Sequence, residues 1–189
     1  MAGSRNDGQS FGLVSNSIEH NKYSVITCLE ILANEIISMM PDVNEIILFS
    51  DNASSQFKNR YVLNYLTHMM DTMDMDFSWN YFASAHGKGV VDGVGGILKR
   101  LVWLEIMAGK QCSSADDFVK ICREKSQTIS TILVRQAQLD VTKLTLEKLF
   151  SQINSIPDLQ KQHHFQALHK DVIQFAEYAT SDNQYVYRF

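Results

Sequence analysis

Along the first 110 residues, short apolar runs alternate with amphipathic stretches of helical period, and this alternation narrows the possible folds more than any other feature. In residues 21–40, Val25, Ile26, Leu29, Leu32, Ala33, Ile36, Ile37 and Met40 recur at helical spacing until Pro41 stops the pattern. Glu45-Ile-Ile-Leu-Phe-Ser-Asp51 follows, a β-branched and aromatic run ending in a polar turn. It reads as a strand buried on both faces that emerges at the carboxyl edge of a sheet. Residues 59–73 return to helical period, with Val62, Leu66, Met69, Met70 and Met73 on one side, and Phe77-Ser-Trp-Asn-Tyr-Phe82 alternates as a strand does. Phe11-Gly-Leu-Val14 reads as the end of an earlier strand, and a glycine-rich turn at 85–96 runs into a helix over 97–107. That order predicts an α/β fold with parallel pairing. Strands 45–51 and 77–82 are expected to be central neighbours, flanked by helices 21–40, 59–73 and 97–107.

The signals weaken beyond residue 111. Ser114-Ala-Asp-Asp117 has the form of a helix start, a hydroxyl cap with an acid three residues later, before Phe118, Val119, Ile121 and Cys122. Asp140 opens a second predicted helix with Leu144, Leu149, Phe150 and Ile153 inward, ending near Pro157. Val172–Phe189 contains two β-rich runs around Thr180-Ser-Asp-Asn, which predict a hairpin. The organisation expected is a polar leader (1–10), an α/β core (11–110) and a helical extension ending in a β-hairpin (111–189).

Charge narrows the class of partner. Seventeen Lys and Arg against 21 Asp and Glu give a net charge of −4, and the first fifty residues hold the whole deficit, with 2 basic and 6 acidic groups. Such a balance argues against a purely electrostatic nucleic-acid binder but leaves room for a local basic groove. The three cysteines, Cys28, Cys112 and Cys122, form no CxxC pair, so reduced thiols are expected. No apolar run is long enough to span a membrane, and MAGSRNDGQS lacks the apolar stretch of a signal peptide. The location expected is nuclear or cytoplasmic, not secreted and not membrane-bound.

Two segments carry groups suited to chemistry. Asp51 stands at the predicted carboxyl edge of a strand, where ligands of open α/β sheets gather. The turn after it supplies amides and cations, Gln56, Lys58, Asn59 and Arg60, suited to a phosphate backbone beside a metal-bound acid. The plainer alternative is that Asp51 and Asn52 cap the next helix. The second segment, His86-Gly-Lys-Gly-Val-Val-Asp92-Gly-Val-Gly-Gly-Ile-Leu-Lys-Arg100, holds five of the nine glycines and fits neither a P-loop nor a dinucleotide fingerprint. Here the plainer alternative is a glycine-rich connection with a capping Asp92 and a satisfied His86. Together Asp51 and Asp92 could be two carboxylates on adjacent edges of one sheet, the arrangement that metal-assisted phosphoryl transfer uses, with Mg²⁺ or Mn²⁺ the expected ion. His163, His164 and His169 have no cysteine at zinc-finger spacing, and no Ser or Cys stands in a nucleophile elbow.

Phe49-Ser-Asp-Asn-Ala-Ser-Ser-Gln-Phe-Lys-Asn-Arg60 resembles the "FSDGxxxQFKN" stretch of a group of transposon-derived animal proteins. Trp79-Asn-Tyr-Phe-Ala-Ser-Ala-His-Gly-Lys-Gly-Val-Val-Asp-Gly-Val-Gly-Gly-Ile-Leu-Lys-Arg100 is similar to their "WHFFATSHGKGxxDGxGGxxKR" signature. The resemblance implies a ribonuclease H-like core of the DDE transposase type, whose acids hold two metal ions to cut and join DNA strands. It implies that Asp51 is the acid ending the fold's fourth strand, that His86 is the histidine between the second and third acids, and that Asp92 is the third acid, with Glu105 as the alternative. Lys58, Arg60, Lys88, Lys99 and Arg100 would then hold DNA, through residues near 56–60 and 86–100. Asn52 stands where the group has glycine. The fold's first acid would lie on a strand before Phe11, and Asp7 in the polar leader is a poor substitute. The expectation is therefore a partial transposase core that does not cleave DNA as this isolated chain. The alternative left open is a host-retained module, without catalysis, that binds nucleic acid or protein.

Overall fold

The computed structural model describes residues 8–82 and 90–189, which form β1 (Ser10–Val14), α1 (Lys22–Met39), β2 (Glu45–Ser50), α2 (Arg60–Met73), β3 (Asp76–Tyr81), α3 (Val90–Met107), α4 (Ala115–Lys125), β4 (Ile129–Leu133), α5 (Gln136–Phe150), β5 (His164–His169), β6 (Val172–Ala176) and β7 (Tyr185–Arg188). The fold is α/β. It divides into two compact units, one made of residues 1–18 and 88–138, the other of 19–87 and 139–189.

The larger unit is a five-stranded mixed sheet in the order β2-β3-β5-β6-β7. β2 and β3 are parallel, in register from Glu45 opposite Asp76 to Ser50 opposite Tyr81, and the remaining pairs are antiparallel. The helical period over 59–73 has the expected effect. Val62, Leu66 and Met69 of α2 are buried, with Phe77, Trp79, Phe165, Ile173 and Phe175 of the sheet in the same core cluster. Asn59 caps α2, its Oδ1 accepting from Val62 N at 3.1 Å, and Asn21 caps α1 in the same way. The expected hairpin at the C-terminus is present as β6 and β7.

The smaller unit contains the parallel pair β1–β4 with α3 and α4 packed against it. Leu98, Val102, Ile121, Cys122 and Ile129 form its core. Gly12 of β1 lets α3 come close, since a Cβ there would stand 2.4 Å from Leu98 Cδ1. The capping box at Ser114 forms as predicted, with Ser114 Oγ accepting from Asp117 N at 3.1 Å and the Asp117 carboxylate accepting from Ser114 N at 3.1 Å.

Several expectations are corrected. β2 and β3 are parallel neighbours, but β2 lies at the sheet's edge, and only Ile46 and Leu48 turn toward the core, while Ile47 is 51% and Phe49 62% exposed. A six-residue apolar run has the same composition whether one face is covered or two. The helix over 97–107 is part of α3, in the smaller unit, and does not belong to the unit of β2 and β3. Residues 111–189 are not an extension. β5, β6 and β7 complete the mixed sheet, and α4 and β4 belong to the smaller unit. α5 begins at Gln136 and buries Leu139, Thr142, Leu146 and Phe150, leaving Leu144, which was expected inward, 68% exposed.

Candidate functional site

Because β2 and β3 run parallel, both deliver their carboxyl ends to one edge of the sheet, and Asp51 and Phe82 emerge there together. The two ends are tied. Phe82 N–H donates to Ser50 O at 2.9 Å, and Trp79 Nε1 donates to Ser50 Oγ at 2.9 Å. Asp51 is exposed, and its Oδ1 accepts from Ala53 N at 3.2 Å. Asn52 turns inward instead, and its Nδ2 donates to Phe82 O at 2.7 Å.

Behind Asn52 lies Lys58, 1% exposed, whose ammonium donates to Asn52 Oδ1 at 3.2 Å and Gln160 O at 2.9 Å and sits 5.5 Å from the Tyr81 ring centroid. Burial lowers its pKa to about 8. Tyr81 Oη donates to Phe57 O at 3.0 Å, and Ala53 O accepts from the N–H groups of Gln56, Phe57 and Lys58. The polar turn is thus tied to the end of β3 through Asn52 and Tyr81, and Lys58, expected at a phosphate, instead braces Asn52 from within. Lys58 is an internal cation, not a surface one. Asn59 is the α2 cap, its amide donating to Gln56 O at 3.0 Å, and Gln56 is half-buried. Arg60 donates to Ser155 Oγ at 2.7 Å and Tyr61 Oη at 2.8 Å.

Beside Asp51, the rings of Phe49 and Phe82 stack at 5.9 Å with an interplanar angle of 23°. Phe49 is 62% and Phe82 39% exposed, so the pair presents an aromatic surface to solvent. Sequence reasoning took Phe49 and Phe82 only as strand residues. The visible signal was Phe49 immediately before the Ser-Asp turn.

The second segment is distributed differently. Asp92 is exposed in the first turn of α3, in the smaller unit, whereas Asp51 belongs to the larger one. His86 and Lys88 lie outside the described residues. Lys99 and Arg100 are exposed on α3. A Cβ added at Gly93, Gly95 or Gly96 would meet nothing within 4 Å, so packing among the described residues does not require those glycines. Glu105 is clamped. Its carboxylate stands 2.9 Å from both Lys110 and Lys125, and hydrogen bonds from Lys125 and then Lys110 hold it below the usual carboxylate range.

Among the described residues, the Asp51 loop does not by itself form a two-metal centre. A pair of Mg²⁺ or Mn²⁺ ions needs several free carboxylates converging on one point. The Asp51 loop offers one, since Asn52 Oδ1 is engaged by Lys58; Glu105, in the smaller unit, is engaged by two lysines. Among the described residues no group of three or more His, Cys, Asp or Glu side chains is placed to hold a metal.

A further polar cluster, not singled out from the sequence, joins α2 to the β5–β6 turn. Asp171 Oδ1 accepts from Asn64 Nδ2 at 2.9 Å and lies 2.7 Å from His68 Nε2, and the His68 and Tyr65 rings stack at 6.3 Å. Nothing in α2's apolar period marks these residues as partners of a turn a hundred positions away.

The chain is therefore an α/β protein whose mixed sheet carries an exposed acid and an aromatic pair at one edge. Residues 2–179 match the family described as Domain of unknown function (DUF8701), and the chain belongs to that family. No curated protein and no solved structure matches it. No helix among the described residues is long and apolar enough to cross a membrane.

Proposed function

We propose that the chain is a nucleic-acid-binding module derived from a DDE-type transposase core, and that it binds a single strand at the Asp51 edge without cleaving it. The observation that carries this reading is the solvent-facing Phe49–Phe82 stack on a rigidly tied loop. Nucleobases stack on such rings whatever their sequence, each contact being worth about 1–3 kcal/mol. The two motifs at 49–60 and 79–100 that resemble transposon-derived proteins supply the ancestry, and Phe49 and Phe82 lie within them. Cleavage would need metal-holding acids beside Asp51, and the engaged state of Glu105 and Asn52 argues against it.

Fluorescence anisotropy with a 20-nucleotide single strand tests the binding. Phe49→Ala removes a mostly exposed ring and should weaken binding by about tenfold, the loss of one stacked base. Equal affinity for wild type and Phe49→Ala would reject the assignment of the site. Incubating plasmid with the protein and Mn²⁺ tests the chemistry. The expected result is no nicking above background, and nicking that Asp51→Ala abolishes would overturn the loss of catalysis.

A further inference from the structure

The smaller unit contains a cavity of about 490 Å³ between α4 and the outer edge of β4. Among the described residues, β4 pairs with β1 on one side only. Val134 N–H donates to Val14 O at 2.8 Å, so the backbone groups of alternate residues face β1, and those of Thr131 and Leu133 face the other way. Thr131 O on that outer side accepts from Arg123 Nε at 2.9 Å. The guanidinium covers one acceptor and leaves the edge open further along, where Leu133 N–H has no partner among the described residues. An unpaired edge of this kind is a template for an added strand.

The cavity wall has a definite chemistry. Val119, Ile132 and Leu133 give it an apolar floor, and its charged rim contains three cations and two acids. Asp116 faces Arg135 at 3.7 Å, and Glu124 is paired with Lys110 at 3.0 Å. Lys120 lies in the field of Glu124, whereas the terminal nitrogens of Arg123 have no acid paired with them among the described residues. A free strand edge, an apolar floor and the unmatched Arg123 together specify a ligand with a backbone to pair, an apolar side chain and one carboxylate.

We infer that this groove binds an extended polypeptide segment, which pairs with the outer edge of β4 and sets an apolar side chain against Val119, Ile132 and Leu133 and a carboxylate against the terminal nitrogens of Arg123. Strand addition between a helix and a sheet edge is a recurrent mode of peptide recognition. A nucleic acid suits the groove less well, because no aromatic ring lines the wall and a phosphate backbone has no amide to pair with the strand edge. The site lies in a different unit from Asp51 and does not depend on the nucleic-acid reading.

The test is selection of a random heptapeptide display library on the purified full chain, followed by anisotropy titration of the enriched peptide. Alternating apolar residues with an Asp, a Glu or a free C-terminus are expected in the enriched sequences. Leu133→Pro deletes the outward N–H and spares the ladder to β1, and should weaken binding by about tenfold. Arg123→Gln should weaken it by roughly fivefold and flatten its salt dependence. Should Leu133→Pro disturb the fold, N-methylation of alternate peptide nitrogens on the wild-type protein reads the same pairing, and it should abolish binding. Failure to enrich any sequence over an uncoated support would overturn the proposal, as would affinity indifferent to both N-methylation and Arg123→Gln. Displacement of the peptide by an oligonucleotide that loses affinity with the same variants would instead make the groove a phosphate site.

Discussion

Lys58 shows how a residue chosen for one role can carry another. In the sequence it is a cation in a polar turn beside an acid. In the fold it is 1% exposed and holds the Asp51 loop by two hydrogen bonds. Desolvation lowers its pKa to about 8, whereas the unfolded chain keeps an ordinary lysine value near 10.5. Because the folded value is depressed, the associated stability is full above the unfolded pKa and is lost as pH falls through about 8. Between about pH 8 and 10 the unfolded chain holds the proton that the folded one has released, and stability should rise. Urea unfolding at pH 8 and pH 10 should show wild type gaining on the order of 1–2 kcal/mol relative to Lys58→Met. Parallel profiles for the two proteins would mean that the ammonium is not desolvated.

At the level of elements, α2 grips the β5–β6 turn through Asn64, Thr67 and His68, which lie on one helical face at i, i+3 and i+4. Thr67 Oγ1 accepts from Asp171 N at 2.9 Å, and Asp171 itself has a left-handed φ of 60°. Burial alone would raise the Asp171 carboxyl, but hydrogen bonds from Asn64 and His68 bring it below its ordinary value. Asp171→Ala leaves Asn64, only 1% exposed, without its acceptor, and should cost about 1–3 kcal/mol. In a thermal melt at pH 7 that amounts to roughly 2–4 °C per kcal/mol. The depressed pKa gives stability that is present above the unfolded value and lost as pH falls through the folded one. The gap between wild type and variant should therefore narrow in melts near pH 3, and a gap unchanged by acid would count against the bonds. The cap at Ser114 was legible from four consecutive residues. The clasp on Asp171 was not, because its partners are separated by more than a hundred positions.

For the whole molecule, the chain order of the strands is not their spatial order. β3 pairs on one side with β2 and on the other with β5, which lies more than eighty residues later. Phe165 of β5 is fully buried in the same cluster as Trp79 and Phe77. A fragment of residues 1–110, the core expected from periodicity, would lack β5, β6 and β7 and would expose that aromatic cluster. It should show no cooperative thermal transition by circular dichroism, whereas the full chain should. A sharp transition in the fragment would show that its two sheet strands suffice.

The sequence by itself determined what depends on near neighbours. The helices over 21–40 and 59–73, the helix start at Ser114, the strands at 45–51 and 77–82, their parallel pairing and the position of Asp51 at a carboxyl edge follow from period, caps and the short connections between elements. β4 and β5 escaped it, since Ile129–Leu133 and His164–His169 mix polar and apolar residues without a long run. Only the tertiary structure decided that β2 stands at an edge, that Lys58 turns inward, that Glu105 is neutralised by Lys110 and Lys125, and that Asp51 and Asp92 belong to different units. The physical reason is common to all four. Burial and charge pairing depend on which distant segments come to lie alongside, and a local window contains the side chain but not the neighbour that fixes its solvation.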